Sequence, residues 1–197
     1  MAKERVKITQ YRGTPQTVSA MFAVANGDRG QQSWRLRKKA EEVIRHVTPR
    51  DYWSEALAIY YWTCGPSFRY TRDPLRVEQL KDPVRMLEEI ENDGVTLGDC
   101  DDLATFLVAC LGTIGQKARI VTVGFRPLNP RYDKSLIIEP NMRLMTSKHP
   151  RLGGPFTHVF AQARKPKAGW VTLDPVAGPR TAEMQRRVKQ LRIYVSN

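Results

Sequence analysis

Between Gly98 and Phe125 the chain reads GDCDDLATFLVACLGTIGQKARIVTVGF, and its hydrophobic period changes once within that run. Leu103, Phe106, Leu107, Cys110, Leu111 and Ile114 fall at the i, i+3, i+4, i+7, i+8 and i+11 spacing of one helix face, which Gly115 ends. From Ala118 the pattern turns to the β-branched alternation ARIVTVGF, which predicts a strand. Cys110 belongs to the apolar stripe and is a core residue. Cys100 lies ahead of the stripe, at the helix start, among Asp99, Asp101 and Asp102. Those acids cap the helix and suit its dipole. They do not form a calcium loop of the EF-hand kind, which needs a Gly and a terminal Glu absent here.

Four helices are predicted upstream of this run. Thr14-Pro15 opens one that Asn26-Gly27 ends, and residues 31–46 form a second, basic helix. Thr48-Pro49 opens a third through DYWSEALAIYYWTC, stopped by Gly65-Pro66. Asp82-Pro83 opens a fourth, stopped by Gly94. The aromatic cluster Trp53, Tyr60, Tyr61 and Trp62 reads as core. Downstream, residues 127–155 form a long irregular loop with a short strand at SLIIE, residues 135–139. THVFAQAR, the turn KPKAG and WVTLDP then read as an antiparallel hairpin over residues 157–175.

That hairpin carries the chemistry. If Arg164 pairs with Trp170 across the turn, Phe160 faces Asp174, and His158 becomes Asp174's diagonal neighbour on the same face. Pro175 predicts that the strand stops there, leaving the acid near an accessible sheet margin. A helix N-terminus stabilises a thiolate, an imidazole can take the thiol proton, and a carboxylate on the other ring nitrogen fixes the tautomer. Cys100, His158 and Asp174 supply these roles in chain order.

Composition narrows the remaining classes. At 197 residues the chain is read as a single domain, 1–197, and no apolar run is long enough to span a bilayer. The charged start MAKERVKITQYRG lacks the apolar core of a secretory signal, so synthesis and folding in a cytoplasm are expected. Cys64, Cys100 and Cys110 are expected to be reduced, and no CxxC or HxxxH pattern joins them with His46, His149 and His158 in a metal site. Net charge is +12, with both ends basic and residues 51–100 acidic. The runs RLRKKAEE and QRRVKQLR are read as solvated or partner-facing, with nucleic acid a weaker alternative partner.

The run GDCDDLATFLVACLGTIGQKARIVTVGF, followed by FTHVF and GWVTLDPVAG, resembles the transglutaminase-like cysteine-enzyme superfamily over about residues 52–178, and YYWTCGPSFRYTRDP resembles the aromatic stretch upstream of that family's cysteine. The resemblance implies an α+β, papain-like core in which a helix starting at the Cys packs on an antiparallel sheet bearing the His and the Asp, behind N-terminal helices. It implies Cys100 as nucleophile, His158 as base and Asp174 as orienting acid. The Cys100 amide and a donor from Tyr70 or Trp62 would form the oxyanion hole. The expected activity is that of a cysteine peptidase or amidase, or of a transglutaminase, on a protein or peptide substrate, with no cofactor. The competing reading is a structural or assembly protein without catalysis. On it the basic ends dock to phage structural proteins, as compact members encoded by tailed bacteriophages suggest, and the protein ends up in the virion.

Overall fold

The computed structural model describes residues 14–73, 79–127, 142–145, 158–178 and 192–194. Four helices come first: α1 (Thr14–Asn26), α2 (Trp34–Ile44), α3 (Tyr52–Thr63) and α4 (Pro83–Asp93). Their ends follow local chemistry. Asp82 Oδ1 accepts from the Arg85 amide at 2.8 Å, Pro83 stands at N1, and Gly94 closes α4 at φ 77°, a left-handed value that Gly adopts without strain. The third helix corrects the sequence reading. It opens at Tyr52 rather than after Thr48-Pro49, because Asp51 accepts from the Ser54 amide at 3.1 Å and from its hydroxyl at 2.7 Å.

A short parallel pair, β1 (Phe68–Tyr70) and β2 (Thr96–Gly98), was not foreseen. It sets Tyr70 opposite Gly98, immediately before the fifth helix, α5 (Cys100–Thr113). The sequence predicts one apolar face for α5, yet every residue from Asp101 to Leu111 is buried. The reason is its position: α1, α2, α3 and α4 pack against it, as do the strands β3 (Ala118–Pro127) and β5 (His158–Lys165). Ala104 and Ala109, fully buried outside the stripe positions, leave room for that close approach.

The remaining strands are β4 (Met142–Met145), β6 (Gly169–Leu173) and β7 (Arg192–Tyr194), so the main sheet runs β4-β3-β5-β6 with β7 also on β3, all antiparallel. The predicted strand at 135–139 lies outside the described residues, as does most of the basic run 185–192. Ile120, Ala161, Ala163 and Leu173 belong to the same core cluster as the α5 stripe and cement helix to sheet. In the β5–β6 hairpin Arg164 pairs with Trp170, the register expected from the turn, with Lys167 at φ 62° and Gly169 at φ 82° reversing the chain.

Candidate active site

Cys100 is the first residue of α5, and the acids around it form a cap. Asp99 Oδ1 accepts from the Asp101 amide at 3.1 Å, and Asp102 Oδ2 accepts from the Asp99 amide at 3.3 Å, a capping box. The Asp102 amide donates to Asp101 Oδ1 at 3.1 Å, and the Leu103 amide donates to the Asp99 carbonyl at 3.1 Å. The neighbouring amides are thus engaged. Among the described residues the Cys100 amide is left without a hydrogen bond, at the positive end of a buried helix.

His158 opens β5 and is 7% exposed. Its Nε2 lies 2.7 Å from Asp174 Oδ2, and the Cys100 thiol is a further hydrogen-bond partner of the ring. With Nε2 engaged by the carboxylate, Nδ1 is the nitrogen left to exchange a proton with the thiol. Burial works against a charged imidazole here. The charge and hydrogen bond of Asp174, with Cys100, outweigh it and push His158 up to about 10.

The structure therefore brings Cys100, His158 and Asp174 together, with one correction. Asp174 does not sit at an accessible margin: it is fully buried. The chain after β6 turns back on itself, so Asp174 Oδ1 accepts from the amides of Val176 and Ala177 at 3.0 and 3.1 Å, and its carbonyl accepts from Gly178 at 2.8 Å. The Tyr60 hydroxyl of α3 reaches this turn, 2.9 Å from the Gly178 carbonyl and 3.2 Å from that of Asp174. One carboxylate oxygen is anchored to the backbone and the other is presented to the histidine.

Tyr60 is the residue sequence reasoning undervalued. It is core, as predicted, but its hydroxyl fastens the helical layer to the Asp174 turn, a long-range partnership with no sequence signal. Trp62 is half-buried at the edge of the core, its ring packed against Phe68 and Phe106 at centroid distances of 5.2 and 5.6 Å. Tyr61 is not core: it is 63% exposed, because α3 is apolar nearly all round and only part of it meets α2 and α5. All three cysteines are free, and burial raises the thiols of Cys64 and Cys110. Among the described residues no helix is long and apolar enough to cross a membrane.

A sequence model described as the transglutaminase-like superfamily matches residues 37–175. No curated protein matches the chain. Among solved structures, a candidate cysteine protease from Cytophaga hutchinsonii is similar at 16% identity, over 90% of this chain and 52% of that one, with a TM-score of 0.49. The periplasmic domain of TgpA from Pseudomonas aeruginosa is similar at 20% identity, over 88% of this chain and 53% of that one, also with a TM-score of 0.49. The chain thus spans about half the length of these structures.

Proposed function

The chain belongs to the transglutaminase-like superfamily, and we propose that within it this protein is a thiol-dependent acyl-transfer enzyme acting on peptide or amide bonds of a protein or peptide substrate. The observation that supports this most is the buried His158, held on Nε2 by Asp174 and hydrogen-bonded to Cys100.

In this mechanism Nδ1 takes the thiol proton, leaving a thiolate beside an imidazolium. The thiolate adds to the substrate carbonyl carbon and the carbonyl electron pair moves onto oxygen. As that pair returns, the C–N bond breaks, the nitrogen leaves with the proton from Nδ1, and a Cys100 thioester remains. Water or an amine then gives its proton to His158 while adding to the thioester. Cleavage of the C–S bond restores the thiolate. The Cys100 amide is the first oxyanion donor. Of the two candidates for the second, Tyr70 is favoured, since it lies opposite Gly98 and is partly exposed, whereas the Trp62 ring is engaged with Phe68 and Phe106. Hydrolysis is favoured over cross-linking, because water is always present and cross-linking needs a site that shields the thioester from it.

Iodoacetamide labelling tests this reading. Cys100 should react faster than a free thiol near neutral pH, and Cys100→Ala should remove the fast phase. Labelling of Cys100 at the rate of a free thiol would overturn the enzyme reading and favour a structural protein docking through its basic ends.

A further inference from the structure

Asp102 is tied to more than its own helix. A capping box requires only its bond to the Asp99 amide, and that is the longer of its two at 3.3 Å. The shorter, 2.7 Å, runs from the Lys81 amide, in the extended segment before α4, to Asp102 Oδ1. The Lys81 ammonium in turn donates to the Leu97 carbonyl of β2 and lies 3.0 Å from Glu89 Oε2 on α4. On its remaining side Asp102 fills the space over Gly98: a Cβ there would come within 2.8 Å of Asp102 Cβ and 2.9 Å of Oδ2. One side chain, 3% exposed, thus joins the first turn of α5, the end of β2 and the segment ahead of α4.

Capping carboxylates normally sit in water, and this one is buried beside Asp101. We propose that Asp102 is a positioning residue for Cys100, setting the first turn of α5 at the depth and rotation that bring the thiol within reach of His158. The inference rests on the acyl-transfer reading above. The charges facing the carboxyl fit a positioning role. Burial first, then the negative charge of Asp101 with a smaller addition from Asp73, push Asp102 up to about 8 against the opposing pull of Lys81. Asp99 completes the surroundings, one carboxylate oxygen each of Asp99, Asp101 and Asp102 lying within 4.8 Å of one another. Near neutrality Asp102 therefore keeps its proton. It holds the helix start in place without adding its own negative charge beside the thiolate.

The test is the pH profile of Cys100 alkylation by iodoacetamide for wild type, Asp102→Ala, Asp102→Asn and Gly98→Ala. Asp102→Ala removes the tie. Its profile should move toward that of a free thiol, near pH 8.5, with at least about a tenfold loss of rate at pH 7. Asp102→Asn keeps an acceptor for the Lys81 amide and should stay within about threefold of wild type. Gly98→Ala displaces the carboxyl without altering its chemistry, so it should shift the profile in the same direction as Asp102→Ala, and it decides the matter should that variant fail to fold. A purely structural role would lower the melting temperature and leave the profile in place. Profiles of Asp102→Ala and Gly98→Ala superimposable on wild type overturn the proposal, as does Asp102→Asn behaving like Asp102→Ala. Failure of the acyl-transfer reading looks different: wild type itself labels no faster than a free thiol, which removes both.

Discussion

Replacing Asp174 by Asn isolates the carboxylate's electronic role from its structural one. The amide oxygen of Asn can still accept from Val176 and Ala177, so the turn after β6 survives. The amide nitrogen then faces His158 Nε2, where it donates instead of accepting. The proton on neutral His158 is driven to Nδ1, the nitrogen that should be bare to receive the thiol proton. Charge stabilisation is lost as well. His158 stands at about 10 because Asp174, with Cys100, overcomes the effect of burial; without Asp174 it should fall toward the ordinary 6.5 or below. At about 1.4 kcal/mol per tenfold, the imidazolium loses on the order of 4 kcal/mol or more. Turnover on a peptide amide should therefore fall roughly 10³- to 10⁴-fold, and the melting temperature should fall as well, because the folded state loses the same stabilisation of the His158 proton. Iodoacetamide rates against pH for wild type, Asp174→Asn and His158→Ala provide a substrate-independent assay, both variants moving toward higher pH. Three superimposable profiles would refute the triad.

Cys100→Ala should abolish turnover with the fold intact, while Cys110→Ser, placing a hydroxyl in a fully buried site, should cost about 1 to 3 kcal/mol by urea unfolding and keep the activity of the molecules still folded. Tyr60→Phe removes the hydroxyl that pins the Asp174 turn and should cost about 1 kcal/mol, with turnover lowered because the carboxylate is less well held. Unfolding free energy should decline as pH rises. The fold retains a proton on Asp102 from about 3.8 to 8 and on His158 from about 6.5 to 10, whereas the unfolded chain has released it, so folded molecules bind more protons in both windows. Urea titrations across that range should lose the lower part of the slope in Asp102→Asn and the upper part in Asp174→Asn, and stability that rises with pH would contradict both assignments.

Much of this was readable from the chain because it depends on local chemistry. The caps at Asp82 and Asp99, the stops at Gly94 and Gly115, and the change of period after Gly115 each involve residues within a turn or two of one another. The hairpin register was legible for the same reason: the KPKAG turn sets the pairing of Arg164 with Trp170, and two-residue periodicity then places His158 and Asp174 on one face. Other features escaped. The β1–β2 pair joins two three-residue segments too short to show alternation, and the predicted start of α3 failed because two capping signals competed within four residues.

Sequence alone thus determined the order of the five helices and of β3, β5 and β6, the shared face of His158 and Asp174, and that Cys110 rather than Cys100 is core, since periodicity and capping are properties of neighbours along the chain. Tertiary structure decided that α5 is enclosed on all sides, that Asp174 is buried beneath Tyr60, and that Asp102 reaches Lys81 rather than water. Each of these follows from where separate elements come to rest against one another. Only that packing removes the water from around His158 and the carboxyls, and the strength of their interactions depends on its removal.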